Sequence, residues 1–247
     1  MRLRTLLGFG ALTAGAAALG SFATQRSVNS AWYNVELRKP PFQPPREVFG
    51  PVWTALYAMM TRRYMELHGV SAEQLGQVAI AQRRFAAMNP NAIMREPLDS
   101  AKYLASRFVC EPLRLFDYCL VNDGGVALIV TTADRARRAT KPAVLVSGIG
   151  RSDINVEATS LKPRFMDFYH PAHREASEAL YAIAGLGPGD MDLVQVYDSF
   201  SAHVLYALEG FGYCGEGEAG RFIASGATGP GGRLPVNTSG GHLAESY

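Results

Sequence analysis

The segment that decides the fold spans residues 193–201, LVQVYDSFS. Its start, residues 193–196, predicts a strand, and Tyr197 and Asp198 follow at the carboxyl end of that strand. Upstream, residues 172–184 predict a long helix and residues 187–190, GPGD, predict a turn. A helix, a turn and a strand in this order favour an α/β fold with a mostly parallel sheet. Because ligands bind at the carboxyl ends of strands in such sheets, Tyr197 and Asp198 are candidate site residues.

The alternation of helices and strands extends further upstream. Residues 71–74, SAEQ, predict a capping box that opens a helix, and the Asn-Pro pair at 89–90 ends it. Residues 98–106 predict a short capped helix. The run 126–130 predicts a buried strand, because both of its faces are apolar, and residues 143–146 predict a further strand.

The composition of the chain changes near residue 60. Residues 1–60 contain six basic and two acidic side chains, for a net charge of +4, and both tryptophans, Trp32 and Trp53. The remaining residues contain 18 basic and 20 acidic side chains, for a net charge of −2. The change predicts two units, 1–60 and 61–247. No run of basic residues favours a nucleic-acid partner.

The N-terminal unit contains an uncharged stretch, residues 5–25, preceded by Arg2 and Arg4. About 20 apolar residues suffice to cross a bilayer, so the stretch predicts a transmembrane helix and membrane contact. A secretory signal peptide has the same basic start and apolar middle, and residues 21–23, SFA, resemble a cleavage site. Both interpretations stay open.

The segment that follows is aromatic and rich in proline: residues 32–57, WYNVELRKPPFQPPREVFGPVWTALY. It resembles the TspO/MBR, or tryptophan-rich sensory protein, family. The resemblance implies the end of a first membrane helix, a proline-rich loop over a ligand pocket, and the start of a second helix. The pattern ends near Met60, and the charges at Arg62, Arg63 and Glu66 end the second apolar run before it spans a bilayer.

The rest of the chain resembles another family, the lipid-transfer-protein branch of the thiolase-like superfamily. The segments that carry this resemblance are 88–92 (MNPNA), 103–106 (YLAS), 112–115 (PLRL), 123–128 (DGGVAL) and 235–247 (PVNTSGGHLAESY). It implies an acyl-CoA substrate and an incomplete thiolase-like layered fold, made of the late N-terminal half and a truncated C-terminal half. We therefore expect a chimera of a membrane segment and a thiolase-like domain.

The resemblance also implies the class of chemistry. Condensing thiolases use a nucleophilic cysteine and a Gly-His-Pro histidine, whereas Cys110, Cys119 and Cys214 match no nucleophile motif and Tyr247 aligns with that histidine. Tyrosine at 197 and 247 resembles the steroid side-chain-degrading retro-aldolases. Tyr197 and Tyr247 are thus the expected catalytic pair, one as base and one as acid, and which is which stays open.

Three further side chains are expected to bind substrate: Asp198, His203 and His242. Alternative roles stay open for two of them, because Asp198 is also placed to cap the helix that follows and His242 to lie in a solvated loop. His203 follows Ser199 by about one helical turn, which would bring it near the site. The glycine-rich stretches form no nucleotide-binding pattern.

The same resemblance implies the ligands and partners. We expect no metal and no tightly bound cofactor, with a coenzyme A thioester as the substrate. The expected partners are a DUF35-type OB-fold subunit and further copies of the chain, and the thiolase-like domain is expected in the cytoplasm. The cysteines are too few for a disulfide framework and lack zinc-site spacing.

Two alternatives to an active retro-aldolase stay open. The truncated fold predicts impaired activity, so the chain is either a working lyase, an inactive remnant of a thiolase-type acyltransferase, or a membrane protein of the TspO/MBR type that binds a tetrapyrrole or a sterol. The join near residues 58–63 is either a natural fusion or an artefact of sequence assembly.

Overall fold

A computed structural model of the chain describes residues 46–122, 127–152, 169 and 171–245. The predicted transmembrane stretch, residues 5–25, and Tyr247 lie outside the described residues. The helices are α1 (Arg46–His68), α2 (Ala72–Met88), α3 (Ser100–Ala105), α4 (Ala133–Arg137), α5 (Pro171–Ala184), α6 (Ser201–Gly210), α7 (Ala219–Ala224) and α8 (Gly241–Ala244). Short 3-10 helices cover Leu115–Asp117 and Pro188–Asp190.

The hydrophobic core of the described residues packs around helix α6. Apolar side chains on all sides of α6 are buried, as expected of a helix that is surrounded by other elements. Leu205 and Leu208 are fully buried. Helix α2 lies against α6 and also contacts α3, α7 and α8. Because α6 begins directly after residues 197–200, the core fixes the position of the candidate site.

Local signals predicted the helix starts correctly. The Ser71 hydroxyl accepts a hydrogen bond from the Gln74 backbone N–H (3.2 Å), and the Gln74 side chain accepts one from the Ser71 N–H (2.9 Å), which completes the capping box of α2. The Asp99 carboxylate caps α3 by accepting from the Lys102 N–H (2.7 Å). Helix α5 occupies the predicted position.

The sheet is smaller than predicted and differs in direction. Within the described ranges, the one sheet pairs β1 (Phe108–Cys110) with β2 (Leu113–Arg114) in antiparallel orientation, not in a mostly parallel sheet. Residues 193–196 contribute only a parallel bridge between Val194 and Val236. The described residues therefore combine helices with a small antiparallel sheet, and the predicted mostly parallel sheet is not found among them.

The run predicted as a buried strand, 126–130, and the run predicted as a further strand, 143–146, are both exposed and form no strand where the structure describes them. Leu128, Ile129 and Val130 are 85–96% exposed, and Val144 and Val146 are 92% and 74% exposed. A strand that is apolar on both faces becomes buried only when neighbouring strands and covering helices are present. The described residues supply none for these runs, so the prediction of burial was wrong for this structure.

Helix α1 crosses the predicted domain boundary without interruption. It continues from Arg46 to His68, and the charges at Arg62, Arg63 and Glu66 are inside it. None of the helices in the described part of the chain combines the length and apolar character needed to cross a membrane. This agrees with the expectation that those charges, which lie within the last two turns of α1, end the second apolar run before it spans a bilayer. The division into 1–60 and 61–247 stays a prediction.

Candidate active site

Tyr197 follows an extended segment that is held by residues 235–237. The Val194 N–H donates to the Pro235 carbonyl (2.9 Å), and the Asn237 N–H donates to the Val194 carbonyl (2.9 Å). The Asn237 side-chain oxygen accepts from the Val196 N–H (2.8 Å). These bonds fix the backbone one residue before Tyr197. Its side chain is 63% exposed, so the phenol is open to a ligand.

Asp198 points away from solvent and caps a distant helix. Its side chain is buried, and its carboxylate accepts hydrogen bonds from the backbone N–H groups of His242 (2.9 Å) and Leu243 (3.2 Å) at the start of α8. Burial raises the pKa of this carboxyl above its ordinary value, although the two backbone donors oppose that effect. Asp198 therefore caps a helix, as predicted, but that helix is α8 and not the predicted α6.

A glycine pair makes this cap sterically feasible. Gly240 and Gly241 have φ values of +119° and +59°, a region that side chains with a β-carbon rarely adopt. A β-carbon on Gly241 would also collide with the Asp198 carboxylate and crowd Asn237. The turn 240–241 thus brings His242 next to Asp198.

His203 lies one helical turn after Ser199, as predicted from the sequence, and contacts it. The Ser199 hydroxyl and His203 Nδ1 are 3.0 Å apart, within hydrogen-bond distance. Burial lowers the pKa of His203 to about 4, with a smaller contribution from the charge of His173. The imidazole is consequently neutral near pH 7.

The structure brings three of the predicted site residues together. The ring centroid of Tyr197 lies 5.8 Å from that of His203 and 5.1 Å from that of His242, which it meets edge to face. An exposed phenol thereby lies within ring-contact distance of two imidazoles. His242 is partly buried, with its backbone N–H bonded to Asp198, so it is not a fully solvated loop residue.

A third segment, residues 118–120, joins the two halves of the site. The Cys119 N–H donates to the Ser199 carbonyl (3.0 Å), and the Leu120 N–H donates to the His242 carbonyl (2.9 Å). All three cysteines have free thiols. Burial, followed by the negative charge of Asp198, raises the pKa of the Cys119 thiol, which disfavours a nucleophilic thiolate.

Sequence reasoning missed two parts of the site. Tyr57 of helix α1 stacks on Phe200 with 4.2 Å between ring centroids and meets His203 edge to face at 4.6 Å. Asn237 was also missed, although it is buried and has a positive φ of 52°. Its position beside the glycine-rich turn offered a weak signal, whereas nothing in the sequence indicated the contact of Tyr57.

Within the described residues, no group of three or more His, Cys, Asp and Glu side chains is arranged to hold a metal ion. The site offers a phenol, two imidazoles and a buried carboxylate. This set supports proton transfer and the binding of a polar group beside aromatic rings.

Comparison with known families assigns two regions of the chain. Residues 159–247 match the family model described as Thiolase C-terminal domain-like, and residues 9–65 match the model of the TspO/MBR family. The chain thus carries a thiolase-like region behind a TspO/MBR region, which confirms both resemblances found in the sequence.

Among individual proteins, the thiolase-like region is similar to a carboxyl-CoA lyase and to a steroid side-chain-cleaving aldolase. A 17-hydroxy-3-oxo-4-pregnene-20-carboxyl-CoA lyase of Mycobacterium tuberculosis is 39% identical over 78% of this chain and 50% of the relative. A steroid side-chain-cleaving aldolase of Thermomonospora curvata is 38% identical over 79% of this chain and 50% of the relative. The chain spans about half the length of these relatives.

A solved structure supports the same fold. The Ltp2-ChsH2(DUF35) aldolase superposes with a TM-score of 0.75 at 36% identity, over 85% of this chain and 58% of the other. The thiolase-like part of the fold prediction is therefore confirmed.

Proposed function

We propose that this chain supplies the thiolase-like part of a retro-aldolase that cleaves a carbon–carbon bond of a β-hydroxyacyl-CoA. The observation that carries the proposal is the exposed Tyr197 phenol, which lies beside both His203 and His242 at the end of an extended segment. The similarity to two lyases that act on steroid side chains supports a steroid-type acyl group.

The cleavage needs one base and one acid. A base removes the proton of the β-hydroxyl, the bond between the α- and β-carbons breaks as a carbonyl forms, and the electron pair passes to the thioester enolate. An acid then returns a proton to the α-carbon. We assign these two roles to Tyr197 and Tyr247 as a pair. Tyr247 lies outside the described residues, so its role stays a prediction.

We propose that the neighbouring side chains hold the substrate and the phenol. His203 and His242 both lie beside Tyr197 and provide polar contacts. His203 adds no positive charge, because it is neutral near pH 7. Asp198 was expected to bind substrate directly. Its carboxylate is instead occupied by two backbone N–H groups, so we propose that it contributes by holding His242 in place.

A DUF35-type subunit is the proposed partner, because the similar solved structure is a complex of that kind. We propose further copies of the chain as additional partners. No tightly bound cofactor is required, since the thioester itself stabilises the enolate.

The activity is tested with the full chain coexpressed with a DUF35-type subunit and a β-hydroxyacyl-CoA of steroid type. We expect release of a ketone or aldehyde, reduced at least about 100-fold by Tyr197→Phe, because positioned acid–base groups contribute on this scale. Tyr181→Phe is the matched control. The Tyr181 hydroxyl donates to the Phe211 carbonyl (2.9 Å), beyond the far end of α6. Equal rates for the parent and Tyr197→Phe would overturn the role of Tyr197.

The match of residues 9–65 to the TspO/MBR family favours a second function for the other end of the chain. We propose membrane association through residues 5–25, with the thiolase-like region on the cytoplasmic side. Tetrapyrrole or sterol binding is the corresponding alternative activity. Membrane fractionation with a high-salt wash tests the association, and recovery of the full chain in the soluble fraction alone would contradict it.

A further inference from the structure

Aromatic rings form a continuous surface from helix α1 to Tyr197. We call this surface the aromatic face and define it by Trp53, Tyr57, Phe200, His203 and Tyr197. Trp53 stacks with Tyr57 at 5.7 Å between ring centroids, and Tyr57 stacks with Phe200 at 4.2 Å. Tyr57 meets His203 at 4.6 Å, and His203 lies 5.8 Å from Tyr197. Each ring is therefore within aromatic contact distance of the next.

Helix geometry explains how one element supplies two of these rings. Trp53 and Tyr57 are four residues apart, so they lie on the same face of α1. That face is turned toward the start of α6, where Phe200 and His203 are located. Both residues fall within residues 9–65, the region that matches the TspO/MBR family. The fused segment thus contributes side chains to the surroundings of the candidate thiolase-like site.

The aromatic face is accessible to a ligand at both ends. Trp53 is 40% exposed and Tyr197 is 63% exposed, whereas Phe200 between them is buried and supports the other rings. Tyr57 and His203 are partly buried. The face is uncharged near neutral pH, because the pKa of His203 is well below 7. Such a surface favours a flat apolar group over a charged or flexible one.

We propose that the aromatic face binds the fused-ring, apolar part of the acyl group while the thioester end reaches Tyr197. Trp53 and Tyr57 then determine specificity for ring-bearing acyl chains. The inference rests on the proposed retro-aldolase function, since Tyr197 defines the reacting end. It adds that a helix from the TspO/MBR-like segment selects the substrate. A short linear acyl chain would not extend to Trp53 and would gain nothing from it.

Binding can be measured without turnover. The full chain is titrated with two CoA thioesters that lack a β-hydroxyl and so cannot be cleaved: one with a steroid ring system and one with a butyryl group. A Trp32→Phe background leaves Trp53 as the sole tryptophan, because the chain contains two. We expect the steroid thioester to change the fluorescence of Trp53 and the butyryl thioester to leave it unchanged.

The affinities of variants separate specificity from general damage to the fold. We expect Trp53→Ala and Tyr57→Leu to raise Kd for the steroid thioester about 3- to 10-fold and Kd for butyryl-CoA less than about 2-fold. Met59→Ala, another exposed apolar position on α1, is the matched control and should change neither value. Trp53 is only partly buried, so its variant tests the inference even if Tyr57→Leu fails to fold.

Two results would overturn the inference. Unchanged affinity of Trp53→Ala for the steroid thioester would remove Trp53 from the site, and equal losses for both thioesters would indicate a purely structural effect. Ring-selective binding that depends on Trp53, in a chain without lyase activity, would support the aromatic face and contradict the proposed function. Lyase activity together with ring binding that does not depend on Trp53 would support the proposed function and contradict the role of the aromatic face.

Discussion

At the scale of single residues, Gly241 controls the geometry of the site. Its positive φ and the lack of a β-carbon let the Asp198 carboxylate reach the first N–H groups of α8. Gly241→Ala should lower the free energy of unfolding by about 1–3 kcal/mol, through backbone strain and loss of the cap. Chemical denaturation measures this change. Gly189→Ala is the control, because that position is open and lacks a left-handed φ. Equal stabilities of the two variants would show that the cap is unimportant.

His203 gives a prediction for pH dependence. Its pKa is about 4 in the folded chain and about 6.5 when unperturbed, so between these values the unfolded chain binds more protons. The contribution of His203 to the free energy of unfolding is therefore fully present above about pH 6.5, and it is lost as the pH falls toward 4. Asp117 and Asp198 have raised pKa values and act in the opposite direction.

The contribution of His203 is isolated by comparing the parent with His203→Phe. The difference in free energy of unfolding, parent minus variant, should increase as the pH rises from 4 to 6.5. Denaturant titrations at several pH values measure it, and the two carboxyl groups cancel because both proteins contain them. A difference that does not change with pH would show that the imidazole titrates normally in the folded chain.

Sequence reasoning identified Tyr197, His203 and His242 individually, and the structure places them together. The strand end and the spacing of one helical turn are local properties, which is why they could be predicted. The target of the Asp198 cap was not predictable in the same way, because α8 lies more than 40 residues later in the sequence. Contacts of that kind depend on the packing of the whole core.

At the scale of helices, a buried carboxylate links α1 to α6. The Tyr64 and Tyr169 hydroxyls donate to Glu209, and the Ala219 N–H donates to the same side chain (3.1 Å). The Tyr169 hydroxyl also lies 2.8 Å from His68 Nε2. Burial, with the nearby Glu209 charge, raises the pKa values of Tyr64 and Tyr169, so both phenols stay protonated as donors.

Removing one donor should loosen α1. Tyr64→Phe leaves a buried carboxylate with one hydrogen bond fewer, so we expect a loss of about 1–3 kcal/mol in free energy of unfolding. Tyr181→Phe, which loses one partly buried bond to a backbone carbonyl, should lose about 0.5–1.5 kcal/mol. Thermal and denaturant unfolding of both variants provides the comparison. A smaller loss for Tyr64→Phe than for Tyr181→Phe would show that Glu209 does not depend on Tyr64.

Helices were predicted better than strands for a physical reason. The capping box at residues 71–74 and the Asp99 cap act within a few residues, so the sequence alone specifies them. The runs 126–130 and 143–146 have the composition of buried strands, but a strand requires hydrogen-bond partners and covering layers from elsewhere in the fold. Composition alone cannot supply those partners.

At the scale of the whole molecule, the exposed apolar runs should drive self-association. Leu128, Ile129 and Val130 present adjacent apolar side chains, and Val144 and Val146 belong to a second exposed run. Exposed apolar surface of this extent promotes association between chains. The full chain expressed without a partner subunit should therefore show a molecular mass in sedimentation velocity that rises with protein concentration.

A charge within the first run tests whether that run is responsible. Burying one such side chain contributes about 1.5–3 kcal/mol, so Ile129→Lys should shift the association midpoint to a concentration about tenfold higher or more. Met88→Lys is the matched control, because Met88 is also exposed, at 71%, but lies at the end of α2 and outside both runs. If both variants associate like the parent, another surface is responsible. If only Ile129→Lys becomes monomeric, residues 127–130 form the contact. Adding the proposed DUF35-type subunit to the parent then shows whether that subunit covers the same surface.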